Sequence, residues 1–134
     1  MPANRNEAPA RRSLPLALLE KLRELDREIS LKEALALLYV AENDGISLSE
    51  LRWIMRDTPS TVSRIIGRLG AGLDGKPGLQ LIQQSTWPHD ARVRCLHLTE
   101  VAQAMLDGVW QQAGTSMWWN GSDRHARAIT CQLK

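Results

Sequence analysis

The stretch TPSTVSRIIGRL, residues 58–69, decides how the rest of this chain is read. Thr58 is a helix-capping residue type, and Pro59 follows in the first-turn position, where its missing N–H costs nothing. Val62, Ile65, Ile66 and Leu69 then recur at i, i+3, i+4 and i+7, which gathers them on one side of a helix over 59–70. The other side collects Ser60, Thr61, Ser63, Arg64, Gly67 and Arg68. A polar, small-residue and basic face thus lies over an apolar one.

Working upstream, Ser47 and Glu50 form a capping-box pair that opens a short helix through Leu51, Ile54 and Met55, stopping near Asp57. The two short helices therefore meet across a tight turn. Before them, Ser30 and Glu33 make another capping-box pair, and the helix they open runs from 31 to about 42, with Leu31, Leu35 and Leu38 among its apolar positions. Asn43-Asp44-Gly45 ends it. Further back, Leu14, Leu18, Leu22, Leu25 and Ile29 recur at steps of three or four, which predicts a first helix over 14–29. Residues 1–13, with Pro2, Pro9, Arg11 and Arg12, show no helical period and read as a flexible basic arm.

Downstream, Gly70, Gly72, Gly75, Pro77 and Gly78 break the pattern and predict a loop. Strands over 79–85 and 93–98 then flank the turn Trp87-Pro88-His89-Asp90. Thr99 caps a last helix over 100–112, with Val101, Met105, Leu106 and Val109 as its apolar positions. Beyond Gly114 the period is lost, and 113–134 reads as a C-terminal extension.

Composition sets the outer bounds. At 134 residues, 43% hydrophobic and 24% charged, the chain has the length and make-up of one globular domain, here assigned to 14–112. No apolar run approaches the roughly 18 residues of a membrane span, and the first residues lack the apolar stretch of a secretory signal, so the expected location is the cytoplasm and no membrane partner is expected. Cys95 and Cys131 are too few for a disulfide framework and are read as reduced thiols. His89, His97 and His125 are too scattered for a metal-ligand motif, and no nucleophile is seen beside a base. No cofactor, metal or enzymatic activity is expected.

The formal net charge of +2 says little about partners, but its distribution says more. Between Arg52 and Arg94 seven basic residues stand against three acidic ones. Between Glu20 and Glu50 the balance reverses, eight acidic against four basic.

The order helix, helix, short helix, turn, helix, hairpin, helix predicts a mainly α fold with a small β-hairpin: a winged helix-turn-helix with flanking N- and C-terminal helices. A helix fits the major groove of DNA. Short side chains such as Ser60, Thr61 and Ser63 let its backbone approach the bases, while Arg64 and Arg68 reach guanine edges or phosphates. A hairpin carrying His89, Arg92 and Arg94 can set an arginine against the narrow minor groove, where negative potential is concentrated.

TPSTVSRIIGRL followed by DARVRCLHLT resembles the recognition helix and wing of MarR-type transcriptional regulators, including the spacing from Asp90 through Arg92 to Leu98-Thr99. The resemblance covers about residues 30–110. It implies that Arg92 enters the minor groove, that Asp90 helps hold the wing, and that a homodimer binds an inverted repeat of double-stranded DNA. The loop over 70–78 is longer than the usual link to the wing in that family. A homodimer contact is expected from Leu14, Leu18, Leu22 and Leu25 of the first helix together with Trp110, Trp118 and Trp119. The last two tryptophans serve equally well as interface residues or folded back over the first helix. Two other readings stay open: a winged-helix module that docks protein through the same helix face, and a plasmid or phage replication or partition protein. Any small-molecule effector is left open.

Overall fold

A computed structural model of the chain describes residues 14–113. The expected arm at 1–13 and the extension from 114, with Trp118, Trp119, His125 and Cys131, lie outside the described residues.

Helix α1 is Leu14–Leu25 and buries Leu14, Ala17, Leu18 and Leu22. It stops one turn before the predicted end at Ile29. Asp26 is the reason, because its carboxylate takes the Glu28 N–H at 2.8 Å and so offers the backbone a turn in place of another helical bond. Helix α2, Leu31–Glu42, begins on the predicted capping box, with Glu33 N–H to Ser30 Oγ at 3.1 Å and Ser30 N–H to Glu33 Oε1 at 2.9 Å. Asn43 ends it by turning both its backbone N–H and its side-chain amide onto the Tyr39 carbonyl, each at 3.0 Å.

Strand β1, Ile46–Ser47, leads into α3, Leu48–Met55. Ser47 accepts the Glu50 N–H at 3.0 Å, but the return bond of a full box is not made among the described residues. Ser47 is instead paired with Cys95 in a β-ladder that the sequence pattern did not announce. Arg56 caps α3 in the left-handed region at φ 54°. Helix α4, Pro59–Leu69, follows, with Thr58 as its cap and Val62, Ile65, Ile66 and Leu69 buried.

The predicted loop over 70–78 contains a small hairpin, β2 (Gly72–Leu73) and β3 (Lys76–Pro77). The wing proper is β4 (Ile82–Trp87) and β5 (Asp90–Leu98). Pairing of Trp87 with Asp90 leaves only Pro88 and His89 as the turn, tighter than the expected four residues. The first wing strand starts three residues later than predicted, because Leu79, Gln80 and Leu81 donate to the carbonyls of Arg68, Gly70 and Leu69 at 2.7–3.1 Å and belong to the end of α4 rather than to the sheet. The sheet order is β1-β5-β4, antiparallel throughout.

Thr99 joins the wing to α5, Glu100–Ala113. Its hydroxyl donates to the Gln80 carbonyl at 2.7 Å and accepts the Ala102 N–H at 3.2 Å. Helix α5 packs against α1, and one core runs from Leu22 through Leu37, Leu51, Ile66, Leu69 and Leu96 to Leu106, all essentially inaccessible. At the foot of the wing His97 bridges two elements, with Ser85 Oγ 2.9 Å from Nε2 and Asp44 Oδ1 3.1 Å from Nδ1. Ser85 and His97 stand twelve residues apart in the sequence and are brought together by the pairing of β4 with β5. The bridge joins β4 and β5 to the turn after α2. No helix among the described residues is long and apolar enough to cross a membrane.

Candidate nucleic-acid interface

The position of α4 is fixed at its first turn. Thr58 Oγ1 accepts the Thr61 N–H at 3.2 Å and donates to the Thr61 hydroxyl at 2.8 Å. Asp57, one residue earlier, accepts the Thr58 N–H at 3.0 Å and pairs with Lys32 of α2 at 2.6 Å. The Lys32 ammonium, and then the Thr58 N–H, hold the Asp57 carboxyl below the usual carboxylate range. The turn between α3 and α4 is thereby tied to α2.

The apolar stripe of α4 faces the core, so the opposite face points outward by helical geometry. Ser60, Ser63 and Arg64 are exposed there, and Thr61 is half-buried against the cap. Arg64 has no acidic partner among the described residues. Arg68 is placed differently. Its guanidinium is held by Asp26 at 2.8 Å and by a short contact of Nε with the buried Glu33 carboxylate. The arginine assigned from sequence to DNA is therefore engaged with this chain's own acids, forty-two and thirty-five residues away. The hydrogen bonds that Arg68 donates to Glu33, and then to Asp26, raise its pKa further. Burial pushes Glu33 up, yet Arg68 and the Ser30 N–H and hydroxyl outweigh it and leave the carboxyl low. Asp26 is lowered chiefly by the Glu28 N–H and secondarily by Arg68.

At the wing tip Asp90 Oδ1 accepts both the Arg92 backbone N–H, at 3.0 Å, and Arg92 Nε, at 3.1 Å, while Oδ2 lies 3.3 Å from the other guanidinium nitrogen. These contacts, the side-chain ones first, lower the Asp90 pKa. The Arg92 side chain is nonetheless 91% exposed, so the ion pair holds its base while leaving it in solvent. His89 is exposed and stands edge-on to Trp87, ring centroids 5.5 Å apart. Arg94, also exposed, donates to Gln84 at 3.3 Å on the neighbouring strand.

Among the residues expected at a dimer contact, Leu14, Leu18, Leu22 and Trp110 are packed inside this chain, and Leu25 is partly exposed. The outward side of α1 carries Leu16 and Leu19 instead. The sequence pattern gave Trp53 no role and counted Lys76 only as part of the basic segment. Trp53 on α3 is 83% exposed, and Lys76 stands exposed on the small hairpin that follows α4. A turn signal at Asp74-Gly75 was available for the hairpin, since both residues adopt positive φ, 50° and 77°.

Two short helices across a tight turn, backed by a third helix and followed by a β-hairpin, define a winged helix-turn-helix protein. Among solved structures this is the fold of MarR-type winged helices, as the residues at 58–69 and 90–99 led us to expect. The crystal structure of the S. aureus MepR–DNA complex is 16% identical over 90% of this chain and 92% of that chain, with a TM-score of 0.59. The apo form of MarR from E. coli is 17% identical, over 90% and 87%, at 0.55. YusO from Bacillus subtilis is 20% identical, over 90% and 83%, at 0.54. At these identities the likeness is one of fold. No protein-family model matches the chain, and no curated protein matches its sequence.

Proposed function

We propose that this chain is a sequence-specific double-stranded DNA-binding transcriptional regulator, a repressor or autoregulator, that works as a homodimer with α4 in the major groove and the wing tip at the minor groove. The observation that carries the reading is the outward face of α4, where Ser60 and Ser63 keep the surface low and Arg64 stands exposed. A protein-docking helix would present an apolar anchor there. The exposed Arg92 lies two residues past the wing turn, in the irregular stretch of β5 between the pairings of Asp90 and Arg94, and supports the reading of a minor-groove contact. Similar folds solved with DNA, MepR and a mutant of E. coli MarR on operator DNA, support the same use of this architecture.

Recovering bound sites from a pool of random duplexes tests the proposal. The expected result is a two-fold symmetric site with half-sites roughly 34 Å apart, matching two recognition helices in a dimer. Affinity should also fall steeply with salt, by a slope of about 0.9 in log K per log salt for each phosphate contacted. A protein that enriches no sequence and binds no duplex at low salt is not a DNA reader. The module that docks protein through the same α4 face is then the reading that gains.

The wing carries its own prediction. Arg92→Ala should weaken binding broadly, most at A·T-rich flanks, because a minor-groove arginine senses groove width and potential rather than base identity. Titrating the variant against duplexes that differ only in their flanks measures this. A uniform loss across all flanks would remove the minor-groove assignment.

A further inference from the structure

The hairpin β2–β3 contributes no residue to the buried core, yet its turn and its anchoring are specific. Asp74 and Gly75, at φ 50° and 77°, make the two-residue turn type whose twist suits a tight hairpin. Both ends are anchored on α4, the near end by direct chain continuity and the far end through the N–H groups of Leu79, Gln80 and Leu81. Its docking point is more telling. A Cβ on Gly67 would fall 2.5 Å from Leu73 Cδ2, so the Leu73 side chain rests directly on the backbone of α4 at the one position in that turn that lacks a side chain.

Gly67 follows Ser60 by seven and Arg64 by three, which puts it on the same outward stripe of α4. The hairpin therefore lies over the C-terminal half of that stripe. Leu73 and Lys76 are cross-strand partners, and such partners project from one face of a two-stranded ribbon. Lys76 accordingly shares the face of the ribbon from which Leu73 reaches α4, and it is exposed.

From this juxtaposition we propose that the β2–β3 hairpin is a third DNA-contacting element beside α4 and the wing, in which Leu73 seats the ribbon on Gly67 and Lys76 contacts a backbone phosphate flanking the major groove. The inference rests on the DNA-binding reading above and adds a contact to it. It also limits what α4 can read, because the hairpin meets the groove where the helix's last turn otherwise would. Base readout then falls to Ser60, Ser63 and Arg64 in the first two turns.

The test titrates a mixed-sequence duplex of about 30 base pairs at several salt concentrations with the full chain and its variants. Lys76→Gln should lower the salt slope by about 0.9 and weaken binding several-fold at low salt. Lys76→Arg should keep both near the parent, since the charge is retained. Leu73→Ala, which leaves the lysine but loosens its seat, should lose part of the same increment. Melting curves should show Lys76→Gln as stable as the parent, its side chain being exposed. If Lys76→Gln matches the parent in slope and affinity while Arg64→Ala loses binding, the protein reads DNA without the hairpin and the proposal is wrong. Tighter binding by Lys76→Gln would overturn it too, by making the hairpin an obstruction. A parent that binds no duplex removes the DNA-binding reading itself, and this one with it, before any variant is compared.

Discussion

Ile65→Ala and Arg64→Ala, one residue apart, should fail in opposite ways. Ile65 is 7% exposed and lies in the main core, so truncating it should destabilise the fold by about 2–5 kcal/mol. For a unit of this size that is a fall in Tm on the order of 10–25 °C. Arg64 is exposed on the outward face and should leave Tm within a degree or two. Its removal should instead weaken binding to the selected site by about 1–3 kcal/mol if it meets a base edge, and blunt the preference over a scrambled site. A melting curve and a binding isotherm for each variant make the comparison. Should Arg64→Ala bind the selected site as tightly as the parent, α4 does not read DNA through this residue, whatever the fold.

The reason these neighbours can be separated from sequence is that helix faces are local. Capping at Ser30, Ser47 and Thr58, and the apolar period within α4, involve partners three or four residues apart. Those elements were legible to within two residues. Partners farther along the chain were not. The pairing of Ser47 with Cys95 makes a strand that no run of two residues can announce. The delayed start of β4 comes from bonds to the end of α4, not from any property of Leu79 or Gln80 themselves.

The candidate site divides along the same line. Exposure of Ser60, Ser63 and Arg64 follows from the helical period alone, and the Asp90–Arg92 pairing spans two residues. The fate of Arg68 could not be read that way. It sits on the flank of the polar face, and only the packing of α2 against α4 decides that Glu33 is within its reach. Glu33 had a visible local duty as the partner of Ser30 in the capping box of α2, which left nothing to suggest a second one.

The Arg68 cluster therefore carries the other large expected effect. Arg68→Ala leaves the buried Glu33 carboxylate without its cation, and the cost of stranding a buried charge, about 3–5 kcal/mol in full burial, is reduced here because Arg68 itself is 44% exposed in its side chain. A loss of about 1–3 kcal/mol is expected, and Glu33→Gln in the same chain should recover part of it by removing the stranded charge. The acid limb of the stability curve gives an independent readout. Asp26 and Glu33 both have folded pKa values below their unfolded ones, so in acid the unfolded chain binds more protons and stability rises with pH. Their contribution is complete above the unfolded values, near pH 4–5, and is lost as pH falls through the folded ones. Removing Arg68 takes away part of both depressions, so the variant's acid limb should be shallower and the gap between variant and parent should close toward low pH. Asp26 keeps the Glu28 N–H, its largest lowering influence, and so retains some slope. In binding, a scaffold role predicts that Arg68→Ala changes affinity through the placement of α4 while the salt slope stays that of the parent. A slope reduced by about 0.9 with an unchanged Tm and acid limb would instead return Arg68 to the phosphate backbone, as its position in TPSTVSRIIGRL first suggested.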